Sequence, residues 1–238
     1  MLPARTSRGQ LTRHLVQPNP HGTISAMSET TDTAERELAD AKRASALRKV
    51  VLEIERGAAG LGWDRPPMLY ALVPTETLLD TDGLPEDMRE TLIASKDENP
   101  FHLSAVLQDL DTSEDVEDVL PRIGWPEAVQ GAALTVERLV VPPEVEEEAP
   151  EDPEEALEFI SNHPSRTEVR LVIGVNREGD VWSAIRTRAF DDASNVVEGD
   201  NLVPALSAAL KLGFDPDADV DTPIAEETLQ VPNPASND

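Results

Sequence analysis

Arg170 and Arg186 are the residues from which chemistry is first expected. They lie on two apolar-rich runs, Glu168 to Asn176 and Asp180 to Phe190, separated by Arg177-Glu178-Gly179. Gly179 supplies the left-handed residue of a three-residue hairpin loop. Counting outward from that loop pairs Val175 with Val181, Gly174 with Trp182, Val172 with Ala184, Arg170 with Arg186 and Glu168 with Arg188. Val169, Leu171, Ile173 and Val175 then share a face with Val181, Ser183, Ile185 and Thr187, and that face goes to the core. Two guanidinium groups directly opposed destabilise a ribbon unless something anionic lies over them. Arg166 is close in sequence. Arg166, Arg170, Arg186 and Arg188, with Trp182 beside them, are therefore the predicted anion- or partner-binding face. Two anions suit it. One is internal: the linker acids Glu144, Glu146, Glu147 and Glu148, or the helix from Glu154 to Glu158. The other is an external phosphate-bearing or acidic partner, against which the linker acts as a competing mimic. The expectation is that the acidic linker shields the arginine face.

Other groupings fall short of a chemical motif. Gly57-Ala58-Ala59-Gly60-Leu61-Gly62 is glycine-rich but ends a helix, whereas a phosphate loop must open one. His14, His21, His102 and His163 share no metal-ligand spacing. The absence of cysteine from the sequence excludes a thiol nucleophile, a thiolate metal site and a disulfide framework, and fits a reducing cytoplasm. Asp215 to Glu226 places acids where a calcium loop needs them, but Val220 stands where glycine must turn the chain and two prolines stiffen it. Asp80-Thr81-Asp82-Gly83 reads as a turn. No position is marked as catalytic, and no metal or cofactor is expected.

The elements that must position the arginines follow from periodicity. Leu47, Val50, Val51, Ile54, Ala58 and Leu61 form the stripe of a helix that ends near Leu61 and reaches back as far as Thr33. Met68–Val73 and His102–Gln108 read as strands. Pro85 opens a helix over Glu86–Ala94. Thr112 or Ser113 caps another, striped by Val116, Val119, Leu120 and Ile123. Val129–Val141 is the longest strand and is apolar on both faces, as a central strand should be. Pro142 to Pro153 is an acidic linker, Glu154–Asn162 a short helix, and Asn201–Leu212 the last helix. Leu61-Gly62-Trp63, Ile123-Gly124-Trp125 and Leu212-Gly213-Phe214 each follow a helix and precede a proline. They read as helix stops, with glycine left-handed and the aromatic folded over the last turn. The alternative reading makes Trp63 and Trp125 a ligand-stacking pair.

Leu61-Gly62-Trp63-Asp64-Arg65-Pro66-Pro67-Met68-Leu69-Tyr70-Ala71-Leu72-Val73 resembles a segment of an uncharacterised family of acidic actinobacterial proteins. So do Val129 to Pro143, Glu168 to Phe190 with Asp191-Asp192, and Gly199-Asp200-Asn201-Leu202-Val203-Pro204. The resemblance spans about residues 47–212 and implies no activity and no catalytic position.

The expected fold class is α+β: about five strands in a mixed or antiparallel sheet, helices mainly on one face, and a C-terminal β-hairpin followed by a helix. The arginine face is expected to be partly open, or covered by the helix after the linker. Residues 1–32 are expected to be a disordered basic and polar extension. Residues 33–141 and 154–214 make one domain interrupted by the linker 142–153, and 215–238 form a disordered acidic tail. The formal charge of −27 opposes nucleic acid and anionic membranes, which need cationic surfaces, and no run is apolar enough to span a bilayer. Nine acids and no base between Glu144 and Glu158 concentrate that charge. Two functional classes remain. The first is a cytoplasmic, non-catalytic interaction or accessory protein with an unknown protein partner. The second is an enzyme whose carboxylate or arginine site is assembled only by the fold.

Overall fold

The computed structural model describes residues 22–81, 83–111, 113–215 and 222–223. The chain divides into two compact units between Asp40 and Ala41. Helix α1 (Gly22–Gly60) contributes to both. It starts well before Thr33, inside the stretch expected to be an extension. No glycine or proline interrupts Thr23 to Arg56, so nothing local stops the helix from propagating back to Gly22. The remaining extension (1–21), the calcium-like loop beyond Asp215 and most of the acidic tail lie outside the described residues.

In the second unit, β1 (Met68–Pro74), α2 (Thr75–Leu79), α3 (Glu86–Glu98) and β2 (Leu103–Gln108) follow α1. Next come α4 (Val116–Val119) and a 3-10 turn over Leu120–Arg122, where Pro121 denies the helix a hydrogen bond. The cap is Asp115, not Thr112 or Ser113; Thr112 lies outside the described residues. Then follow β3 (Ile123–Gly124), β4 (Gly131–Val140), α5 (Pro143–Glu146), α6 (Pro153–Asn162), β5 (Thr167–Asn176), β6 (Val181–Thr187), β7 (Val197–Gly199), α7 (Pro204–Leu212) and β8 (Thr222–Pro223), which pairs with β3. Asp152 caps α6 through its carboxylate, with Pro153 at the first helical position.

The fold is α+β. Its main sheet has six strands in the order β2-β1-β4-β5-β6-β7, antiparallel throughout. β4 and β5 are the central pair, which explains why β4 is apolar on both faces. The hairpin register is the one the sequence predicts: Val175 opposes Val181, Gly174 opposes Trp182 and Arg170 opposes Arg186. Gly179 turns the loop at φ +94°.

Most of the helices lie on one face. Leu78 of α2, Leu92 of α3, Val116 of α4 and Leu206 and Leu210 of α7 pack with Val169, Leu171, Ile173 and Val175. On the opposite face the packed helix is α1. Leu47, Val50, Val51 and Ile54 pack on Leu72, Ala133, Val172 and Ala184. That contact is possible because the sheet offers small residues there. A Cβ on Gly174 would stand 2.4 Å from Val51 Cγ2 and 3.2 Å from Leu47 Cδ1. Gly174→Ala is therefore expected to overpack the α1 interface and lower unfolding free energy by about 1–3 kcal/mol, read as a fall in the urea midpoint at unchanged slope.

Candidate functional site

The arginine face is not open. α1 roofs it, and the acids that neutralise it come from α1, β4, β5 and the turns at Asp64 and Asp191 rather than from the linker. Arg186 is 4% exposed and Arg170 1%. Glu55, 2% exposed, descends from α1 and grips Arg186 with both carboxylate oxygens, Nε at 2.5 Å and Nη2 at 3.0 Å. Asp191 takes Nη1 at 3.1 Å. Glu137 stands opposite Arg170 on β4 and accepts from its Nε at 3.2 Å and Nη2 at 2.7 Å. Nη2 of Arg170 also donates to the carbonyl of Gly62. One row across three strands thus reads Glu137, Arg170, Arg186, with Glu55 above it.

The turn after α1 completes the roof. Gly62 at φ +81° and Asp64 at φ +64° bend the chain back over the sheet. Trp63 lies over the Arg170 guanidinium, 4.4 Å from ring centre to carbon, and over Arg188 at 5.6 Å. Its indole nitrogen donates to Asp191 at 2.8 Å. That bond, with the Arg186 pair, holds the Asp191 carboxyl below the usual range. Asp64 takes Arg188 with both oxygens, at 2.8 and 2.9 Å, and its own N–H donates to Glu137 at 2.8 Å. Glu168 binds Arg188 at 2.6 Å. The Arg188 bonds lower the Asp64 pKa, and those of Asp64 and Glu168 raise that of Arg188. Hydrogen bonding to Glu55 likewise raises Arg186.

The remaining predicted residues separate. Trp182 is two same-face pairs further along the hairpin, ~13 Å at 3.3 Å per residue. It donates to Glu198 at 3.1 Å beneath Arg48 of α1. Arg166 is exposed at the rim near Arg188, without an ion-pair partner among the described residues. Glu144, Glu146, Glu147 and Glu148 are exposed in and after α5, and none of them pairs with Arg166, Arg170, Arg186 or Arg188. Nor does the helix α6 reach those arginines. Tying four flexible carboxylates down would cost their solvation, whereas Glu55 and Glu137 are already fixed by helix and strand.

Of the three helix stops, Gly62 alone takes the left-handed conformation. Gly124 lies in β3, and Gly213 stays at φ −64°. Trp125 stacks on Phe214 at 6.0 Å, in the core of the helix-rich face. It forms no pair with Trp63, which sits over the arginines. Arg177 of the hairpin loop reaches under Phe214 and binds the carbonyls of Val129, Trp125 and Pro126 at 2.7, 3.1 and 2.8 Å.

His102 joins a trio with buried Thr75 and half-buried Ser104. Its Nδ1 meets Thr75 Oγ1 at 2.7 Å, and Thr75 Oγ1 meets Ser104 Oγ at 2.8 Å. A hydroxyl–imidazole pair is the chemistry of an activated nucleophile. However, Thr75 is 1% and His102 5% exposed, so a substrate cannot approach. His163 ends α6, where its Nδ1 accepts from Ser165 N–H at 3.2 Å. Among the described residues no three His, Asp or Glu side chains converge as a metal would require.

A family model described as PPA1309-like protein matches residues 47–215. The chain belongs to this family. The matched span contains Glu55, Trp63, Glu137, Arg170, Arg186 and Asp191, so the whole roofed network lies inside it. It agrees closely with the stretch over which the sequence resembles an uncharacterised family. No curated protein and no solved structure matches the chain. No helix among the described residues is long and apolar enough to cross a membrane.

Sequence reasoning missed Glu55, Trp63, Glu137 and Asp191. The signal for Glu55 was present: it falls three residues before Ala58 and four after Val51, inside the apolar stripe of α1. An acid on that stripe needs a buried cation. Glu137 likewise stands on the same face of the central strand as buried Ala133 and Thr135.

Two outcomes follow for unfolding experiments. Glu55→Leu is expected to cost about 3–5 kcal/mol, because it leaves Arg186 buried with one half-exposed partner. Glu55→Leu with Arg186→Leu should cost clearly less than the two single changes added, and a double-mutant cycle in urea measures the difference. The second concerns acid. Burial lowers the His102 pKa, opposed by Glu53 and Glu98 and reinforced by Lys49. The unfolded state therefore takes up a proton first. The resulting stability is full above about pH 6.5 and is lost as pH falls from there through the lower folded value. Unfolding free energies compared at pH 7.5 and 5.5 should show this slope, and His102→Gln should flatten it.

Proposed function

We propose that the protein is a non-catalytic accessory protein of the cytoplasm that holds a protein partner in the furrow around Arg188. One observation supports this reading above others: three open depressions share residues and so run together. The first, about 370 Å³, lies along Glu155, Phe159 and His163 and ends at Pro164. The second, about 450 Å³, runs from Pro164 past Arg166 to Glu168 and Arg188. The third, about 280 Å³, continues from Glu168 and Arg188 to Trp63 and Leu139. Such a shape suits an extended or looped protein segment better than a small substrate, which needs enclosure.

The charges support a protein partner too. Arg188 is already matched by Asp64 and Glu168. Arg166 is the cation with capacity to spare, and its planar fork favours a carboxylate on the incoming segment. Phe190, 67% exposed, adjoins Ala189 at the rim and offers an apolar anchor.

Photocrosslinking from a reactive residue placed at Phe190, in extract of the source organism, tests the proposal. A discrete protein adduct is expected, lost in Arg166→Glu while the urea midpoint stays within about 0.5 kcal/mol of the parent. An adduct that survives Arg166→Glu would overturn it.

A further inference from the structure

We propose that the outer edge of β2 is a second docking site, which takes an extended segment of a partner protein with alternating basic and apolar residues. This surface is separate from the furrow and does not rest on it. β2 is one edge of the sheet. The bond from Thr75 N–H to the His102 carbonyl, 3.0 Å, sets the phase of the β1–β2 ladder. Hydrogen-bonded pairs recur every second residue, so Ser104, Val106 and Gln108 turn their backbone groups to β1. Leu103, Ala105 and Leu107 turn theirs away. Among the described residues the N–H groups of Ala105 and Leu107 have no backbone partner. The Leu107 carbonyl accepts from Gln108 Nε2 at 3.2 Å.

Charge, proline and a bulge, three of the usual guards of an edge, are missing from β2. Leu103-Ser104-Ala105-Val106-Leu107-Gln108 contains no charge and no proline, and its register with β1 runs unbroken through all six residues. Ala105 is exposed and Leu107 is 59% exposed. The opposite edge, β7, spans only three residues, so shortness guards it.

Charge selects the occupant. Asp109 continues the row of Ala105 and Leu107, is exposed, and has no ion-pair partner among the described residues. A strand laid along this edge sets an apolar side chain beside Leu107 and a residue two positions on beside Asp109. Lysine or arginine fits there. A second copy would bring another −27 charges to the same edge, whereas a basic segment is drawn to it.

The test titrates the full chain, labelled for amide NMR, with a blocked synthetic peptide alternating lysine, valine and threonine. Shifts and slowed hydrogen exchange are expected at Ala105 and Leu107. Ala105→Pro removes an outward N–H that the β1 ladder does not use. Leu107→Lys adds an edge charge without touching the backbone. Each should weaken binding at least about tenfold at an unchanged melting temperature, and Leu107→Lys decides alone if the proline variant does not fold. Absence of β2 shifts at millimolar peptide would overturn the proposal. So would β2 shifts that grow with protein concentration before peptide is added, since these would mark pairing of two copies. Either result leaves the Phe190 crosslink at the furrow untouched.

Discussion

Two arginines facing each other across a buried hairpin constrain everything around them. Arg170 and Arg186 are cross-strand neighbours on a face that α1 seals from water. Isolated, either charge would be too costly to bury. The fold meets this by bringing a carboxylate to each from a different direction: Glu137 along the sheet, Glu55 down from the helix. Glu137 can serve only if β4 is in register with β5. Glu55 can serve only if α1 is rotated so that Val51, Glu55 and Ala58 all point down. One electrostatic requirement therefore fixes a strand register and a helix phase together.

The same requirement accounts for the turn after α1. Once Arg170 is buried, its Nη2 needs more than one carboxylate oxygen, and the Gly62 carbonyl supplies the second acceptor. Reaching it demands left-handed backbone at Gly62 and again at Asp64. Asp64 bears that conformation because its side chain and its N–H are both held, by Arg188 and by Glu137. Trp63 then has nowhere to go but across the guanidinium groups. What looks in sequence like a helix terminator is the edge of the roof.

The hairpin was legible residue by residue, because a two-residue period and a glycine turn leave one register that buries Val169, Leu171, Ile173 and Val175 together. The two-faced apolarity of β4 also announced a central strand. The roof was not legible, because alternation within a strand says which residues share a face and not what lies above it. Yet Gly174, Ala133 and Ala184 cluster on the arginine face. Small residues there mark the close approach of another element, a reading at odds with an open surface. Charge density misled in the same way. The nine acids between Glu144 and Glu158 dominate the sequence, while the two acids that matter are inconspicuous, Glu55 on the apolar stripe of α1 and Glu137 on the Ala133 face of β4. A carboxylate is useful to a buried cation in proportion to how rigidly it is held, and Glu144, Glu146, Glu147 and Glu148 stand exposed.

Buried ion pairs contribute little net stability compared with apolar residues of equal volume, but a mispaired one is heavily penalised. That asymmetry gives the network a role as a specifier. A slip of β4 by one residue, or a rotation of α1 by one position, would strand two guanidinium groups in a dry interface. The competing arrangements are removed while the native one gains only modestly. The result is a rigid platform of fixed polarity whose rim, at Arg188, Asp64 and Glu168, is the point where the matched interior charges meet water. A partner of the proposed kind would meet side chains already held by mutual ion pairs and would lose little to their ordering. This is a physical reason for the furrow to lie beside the buried arginines and not elsewhere on the surface.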